Sequence, residues 1–419
     1  MTRLAVWLCV TFWVNSAWVH AAEPESIPSY DAIDEVPHLY RQRPLKDRVS
    51  LIRDQLESGN LPLDRSGELP FLLSLLKVLE IPVSSQLLVF STTSLQLSLI
   101  SPKNPRAIYF NEDIYVGFIP GGRIELVSLD PALGGVFYIF DIPKPGQGIH
   151  LDRSERCMNC HASDETGHVP GLVIKSVMPG PTGGSLTAYR IGQTGHQIPL
   201  SERFGGWHLT GASGLLEHHG NLTGKLSDGK LTLHPNPLGD NFDGRHYPVM
   251  TSDLLPHLLL EHQAGFVNRA VEATYRARTL LHLRSGSFTP EQAKELEDQA
   301  QGIVSYLLFQ EEAPLPKQVW KASEVYTREF LKTKRVVNGK SLKDLNLRTR
   351  LFELRCSYMI YSPVFDGLPS ELKERVFFRL KGALRPGNHS SLGNSLEEDE
   401  KRSICDILRA TLPTLPPGW

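Results

Sequence analysis

Cys157-Met158-Asn159-Cys160-His161 is the stretch of this chain best equipped for chemistry. Two thiols at this spacing can add to the two vinyl groups of one porphyrin. The adjacent histidine then supplies an imidazole nitrogen to the iron, which is the attachment pattern of haem c. Cysteine is scarce, with five in 419 residues, so the pairing is not a by-product of composition. Two other chemistries use Cys-x-x-Cys. A thioredoxin-like redox pair expects a surrounding βαβ pattern, and none is visible. A zinc half-site expects a partner Cys-x-x-Cys or His-x-x-x-His, which is also missing. The expectation is one covalent haem on Cys157 and Cys160, with His161 as the proximal iron ligand.

The second axial position would decide what such an iron does. A strong protein ligand there makes it an outer-sphere electron carrier; an open position admits a small molecule. The chain has fifteen histidines and five methionines to draw on. His262 is the first candidate, because it lies on the apolar stripe of a predicted helix, where an ionisable ring needs a partner or a metal. His218 and His196, in a glycine-rich stretch, follow. Met178 is the methionine nearest to the motif on its C-terminal side. His150 and His168 flank the motif and could cover a haem edge. Arg203 and His208 are the residues available for a distal pocket, had the iron an open face.

These side chains need a scaffold. Leu87 to Ser91, Ala107 to Phe110, Ile114 to Ile119, Ile124 to Leu129 and Val136 to Phe140 read as strands. The turn residues Asn111 to Asp113, Pro120-Gly121-Gly122 and Asp130-Pro131 separate several of them, which predicts an antiparallel meander. Helical spacing precedes it over Leu45–Leu56 and Phe71–Leu79. A Pro- and Gly-rich loop leads into the motif, where Asp152 or Ser154 could cap a helical turn. Leu172 to Val177 reads as a further strand. From Thr251 the texture becomes helical. Asp253 or Ser252 opens an amphipathic helix, and Thr289-Pro290-Glu291-Gln292 opens a second that runs to about Leu308. Further helices are expected over Lys317–Lys332, Pro369–Leu384 and Ser403–Leu412, with a polar, mobile loop over Gly387–Asp399. The fold class is therefore α+β: a signal peptide over 1–21, a β-rich haem-bearing region over 22–249, and an α-helical region over 250–419.

The N-terminus sets the expected compartment. Arg3 precedes an apolar run from Leu4 to Val14, and Val19-His20-Ala21 offers small residues around a cleavage point. This reads as an export signal, the competing reading being an uncleaved anchor. Beyond it no stretch has membrane-spanning length, so no span is expected after cleavage. A net charge of −2 gives no electrostatic footprint for nucleic acid. In an oxidising compartment Cys356 and Cys405 are free to pair or to remain thiols.

A resemblance adds to this reading. It is carried by Pro105-Arg106-Ala107-Ile108-Tyr109-Phe110 with Val116-Gly117, by Asp130-Pro131 with Phe137-Tyr138, by Arg203 with Gly205-Gly206-Trp207, by Gly220-Asn221, by Leu260-Glu261-His262-Gln263, and by the stretch from Ser341-Leu342 to Ser362. Together with the haem motif, these resemble an uncharacterised family of exported bacterial proteins containing a cytochrome c domain. The resemblance implies one covalent haem and a periplasmic or surface location. It names no substrate and no redox partner. The functional expectation is one-electron transfer with an unknown protein partner. The alternatives are a peroxidase-like haem enzyme and a haem-based sensor that uses the large helical region.

Overall fold

A computed structural model describes residues 29–144, 146–212, 218–315, 322–387 and 391–419. The expected leader lies outside the described residues. The fold is α+β, with strands concentrated in the N-terminal part and helices in the C-terminal part.

The centre is a six-stranded antiparallel sheet in simple sequence order. Its strands are β1 (Leu87–Val89), β2 (Arg106–Phe110), β3 (Ile114–Phe118), β4 (Ile124–Asp130), β5 (Gly134–Phe140) and the short β6 (Asp152–Arg153). The predicted meander is present nearly residue for residue. Alternation divides its side chains between two faces. Ala107, Tyr109, Val116, Leu126, Val136 and Tyr138 point to one face and join a core with α1 (Arg48–Glu57) and α2 (Glu68–Val78). Asp47 caps α1 by accepting from Val49 and Ser50 N–H groups, and the buried Tyr138 hydroxyl donates to its other oxygen at 2.8 Å.

The opposite face carries Leu87, Val89, Phe110, Tyr115 and Leu129, which share a second core with the helical part. After β6 the chain makes a 3-10 turn over Glu155–Cys157 and then α3 (Met158–His161). Two small hairpins follow, β7 (Val177–Pro179) with β8 (Ser185–Ala188) and β9 (Leu222–Ser227) with β10 (Lys230–Pro235). The strand expected over 172–177 is therefore confined to its last residue and shifted onward. The β9–β10 hairpin was not expected, although Asp228-Gly229, both at positive φ, is a strong hairpin-turn signal.

The helical layer consists of α4 (Leu254–Leu283), α5 (Pro290–Leu307), α6 (Glu324–Leu331), α7 (Pro363–Asp366), α8 (Ser370–Leu384) and α9 (Glu398–Thr411). α5 begins at the predicted N-cap Thr289, which also forms a capping box with Gln292. α9 starts earlier than expected, and Leu392 and Leu396 of the preceding loop are buried. The part of the expected helix at 317–321 lies outside the described residues. Leu254, Leu258 and Leu259 of α4 lie in the same core as the sheet residues, so the change of texture at residue 250 occurs inside one shared core. Cys356 and Cys405 are free thiols, the first buried. No helix among the described residues is long and apolar enough to cross a membrane.

Candidate functional site

Cys157, Cys160 and His161 lie on consecutive helical turns that begin directly after β6. β6 is short, and its position depends on neighbours at both sides. Its residues pair with Tyr138 and Ile139 of β5, and Ser154 N–H donates to the Phe137 carbonyl at 2.9 Å. From the other side Arg153 stacks over the Tyr40 ring and donates to the Tyr40 carbonyl at 2.7 Å. Ser154 precedes the turn as expected, without a side-chain cap bond to its backbone. Cys157 is half-buried and Cys160 exposed, and both are free thiols. Burial pushes the Cys157 thiol up, opposed by a hydrogen bond from Ser154.

His161 is the most tightly specified of the three. Its Nδ1 lies 2.9 Å from the Gly171 carbonyl. A carbonyl only accepts, so Nδ1 carries the proton and Nε2 keeps its lone pair. The Gly171 N–H returns a bond of 2.8 Å to the His161 carbonyl, and the Thr166 hydroxyl adds another at 3.2 Å. One ring face rests on Phe137, with centroids 4.4 Å apart. Burial lowers the imidazole to about 4 against the upward pull of the Gly171 carbonyl, with smaller effects of Arg106 downward and Glu125 upward. The ring is therefore neutral at physiological pH. A neutral imidazole whose second nitrogen donates to a backbone carbonyl is the usual condition of a histidine metal ligand.

Gly171 is held in turn by α4. The Asn268 side chain accepts from Leu172 N–H at 2.7 Å and donates to the Leu172 carbonyl at 2.9 Å. A Cβ on Gly171 would stand 2.5 Å from the Asn268 Oδ1 and 2.9 Å from the Thr166 Cβ, so the position has room only for glycine. Phe137 and Ile139 lie on the sheet face turned toward the motif, and neither belongs to the two main cores. On the same face Glu125 of the adjacent strand β4 accepts from Arg106 Nη1 of β2 at 2.8 Å.

These residues fit a covalently attached haem. Two free thiols and a neutral, correctly tautomeric imidazole share one turn beside an apolar wall. The zinc alternative lacks ligands, since among the described residues no group of three or more His, Cys, Asp or Glu could hold a metal ion. Sequence reasoning found the motif but missed Phe137, Gly171, Thr166 and Asn268 as its supports. Only tertiary pairing identifies them.

The distal candidates lie elsewhere. His262 Nδ1 is 2.8 Å from His196 Nδ1, and His262 Nε2 is 2.7 Å from the Ser357 hydroxyl. Both rings are buried, and both stack on Tyr306 and Phe309. His262 thus has both nitrogens engaged inside the helical layer. His218 Nδ1 accepts from Gly220 N–H at 3.1 Å, and its ring edge faces Phe204. Met178 is buried in β7, packed close to Gly224 of β9. His150 is exposed near Glu57 and Asp152, and His168 is paired with Asp164 at 2.9 Å. Arg203 donates to the carbonyls of Gly195, His196 and Ile198, whereas the His208 ring lies between Phe90 and Phe242. The structure brings His196 and His262 together, but none of these residues makes a hydrogen bond or ring contact with His161.

Comparison of the chain with models of known protein families, with curated proteins and with solved structures finds no match.

Proposed function

We propose that the protein is an exported c-type cytochrome that transfers single electrons through one haem held by Cys157, Cys160 and His161. The observation that carries this reading is the state of His161. Its Nδ1–H is fixed on Gly171, its ring is neutral, and its Nε2 is left free on the same turn as two unpaired thiols. A bound haem c supplies a one-electron couple at its iron. The chain's own residues supply the rest. Phe137 and the Gly171 carbonyl fix the imidazole plane, which limits reorganisation when charge changes. The Asn268 clamp transmits the rigidity of a thirty-residue helix to the Gly171 loop. The Cys-x-x-Cys-His spacing, the N-terminal apolar run and the resemblance to exported cytochrome-domain proteins support the same assignment, because covalent haem attachment takes place outside the cytoplasm. The electron donor and acceptor would be other redox proteins.

The test is expression in a host with working cytochrome c maturation. The mature protein is expected to carry the mass of one covalent haem and to show a low-spin, six-coordinate ferric spectrum. Replacing both Cys157 and Cys160 by Ala should abolish the covalent mass. His161→Ala should change the spin state. A polypeptide with no added mass and no Soret band would refute the proposal. A high-spin ferric spectrum that responds to peroxide or cyanide would assign the chain to the small-molecule-reacting haem enzymes instead.

A further inference from the structure

One buried polar atom near the motif lacks a partner. Arg106 of β2 and Glu125 of β4 project from the same sheet face as Phe137 and Ile139, as the register shows: Ile108 is opposite Gly117, Gly117 opposite Glu125, and Glu125 opposite Ile139. The two side chains meet across β3 at Gly117. A Cβ there would lie 3.3 Å from Glu125 and 3.7 Å from Arg106 Cδ, so the missing side chain gives the pair its room. Glu125 is further fixed by the Ser94 hydroxyl and by Gln96 Nε2 at 3.0 Å. Only the Nη1 end of the guanidinium is used in this pair. Its Nε is buried with no hydrogen-bond partner among the described residues.

A guanidinium has two edges, and each can take a carboxylate. Glu125 occupies one edge of Arg106. The Nε of the other meets no acceptor among the described residues, although an unmet buried donor is costly. From β5, where Phe137 supports His161, to β2 is three strand spacings, about 14 Å. Arg106 reaches back across part of that distance to meet Glu125.

We propose that the free edge of Arg106 binds a propionate of the haem attached at Cys157 and Cys160, with Glu125, Ser94 and Gln96 holding the guanidinium in place. The inference rests on the haem reading above, and it assigns that haem an orientation: thioether side at α3, propionate side over β2–β4. It also makes the ion pair a determinant of reduction potential. A cation near the iron favours the ferrous state and an anion the ferric state, so the two partners act in opposite directions.

The experiment uses matured full-length protein and the variants Arg106→Gln, Arg106→Lys and Glu125→Gln. Mass spectrometry first establishes covalent haem in each; resonance Raman spectroscopy then reads the propionate bending band, and redox titration the midpoint potential. Arg106→Gln is expected to shift the band and lower the potential. Arg106→Lys should shift the band while keeping a potential close to the parent, since it preserves charge without the fork. Glu125→Gln should raise the potential. If the parent chain carries no covalent haem, the haem reading fails and the inference with it. If haem is present and Arg106→Gln leaves the band unchanged, the propionate assignment is overturned while the haem reading stands.

Discussion

His161 is oriented by contacts from β5 and from the loop that follows the histidine. Phe137 lies under its ring, Gly171 takes its Nδ1–H, and Thr166 holds its carbonyl. The arrangement depends on the absence of a side chain at 171. Gly171→Ala should therefore destabilise the protein by about 1–3 kcal/mol, the usual cost of overpacking. The reason is that the added methyl would displace Asn268 or Thr166. Denaturant unfolding checks it, and an unchanged midpoint would show that the loop can yield. The cysteines and the histidine were legible in the sequence, because they stand together in one five-residue pattern. Their supports were not. Phe137 looks like any strand residue, and Gly171 like any loop glycine, until the fold sets them against the imidazole.

The element that most constrains the site is α4. Asn268 clamps the Gly171 loop, Gln263 links the Tyr115 and Tyr358 hydroxyls, and Glu261 receives a two-pronged ion pair from Arg190 at 2.5 and 2.9 Å. Glu261 and Arg190 are both buried. Burial alone would raise the Glu261 carboxyl, but Arg190 and Arg203 outweigh it and hold the group below its usual range. Arg190→Met should cost about 3–5 kcal/mol, since it leaves a buried carboxylate uncompensated. The double variant Arg190→Met with Glu261→Leu should recover much of that loss; urea titrations of both proteins would decide. The start of α4 was readable from Ser252 and Asp253, but its length was not. Its first half is buried on nearly every side, which erases the polar face that marks a helix in sequence. The strand expected over 172–177 failed for a related reason. Leu172 directs both backbone groups to an Asn268 side chain instead of to a neighbouring strand. The four longer meander strands, β2 to β5, were legible because turn residues bound them and their side chains alternate between two covered faces.

At the scale of the whole molecule the protein depends on histidines that must remain uncharged. His38, His208, His257 and His262 are all buried. Burial is the main cause in each case, and it lowers the first three to about 4 and His262 to about 3. Cations reinforce the effect, Arg278 and Arg43 at His38, Arg269 and Arg203 at His262. A histidine titrates near 6.5 when unfolded, so the folded state holds fewer protons below that pH. Its stabilising effect is complete above about pH 6.5 and drains away as pH falls toward the folded values. Each such ring can cost up to about 1.4 kcal/mol per pH unit in that window. Four rings acting together rival the 5–15 kcal/mol that holds a typical domain. The low-lying carboxyl of Glu261 works in the same direction but only below about pH 4.3, so the two classes separate on the pH axis. The chain should begin to lose stability between pH 6.5 and 5, well before carboxylates protonate. His257→Gln, which can keep a donor toward the His208 carbonyl, should flatten that slope. Urea midpoints measured from pH 7.5 to 4.5 test the argument directly. A midpoint constant down to pH 5 would mean that the buried histidines take up protons in the folded state as readily as in the unfolded one, and that the acid sensitivity of this fold lies in its carboxylates alone.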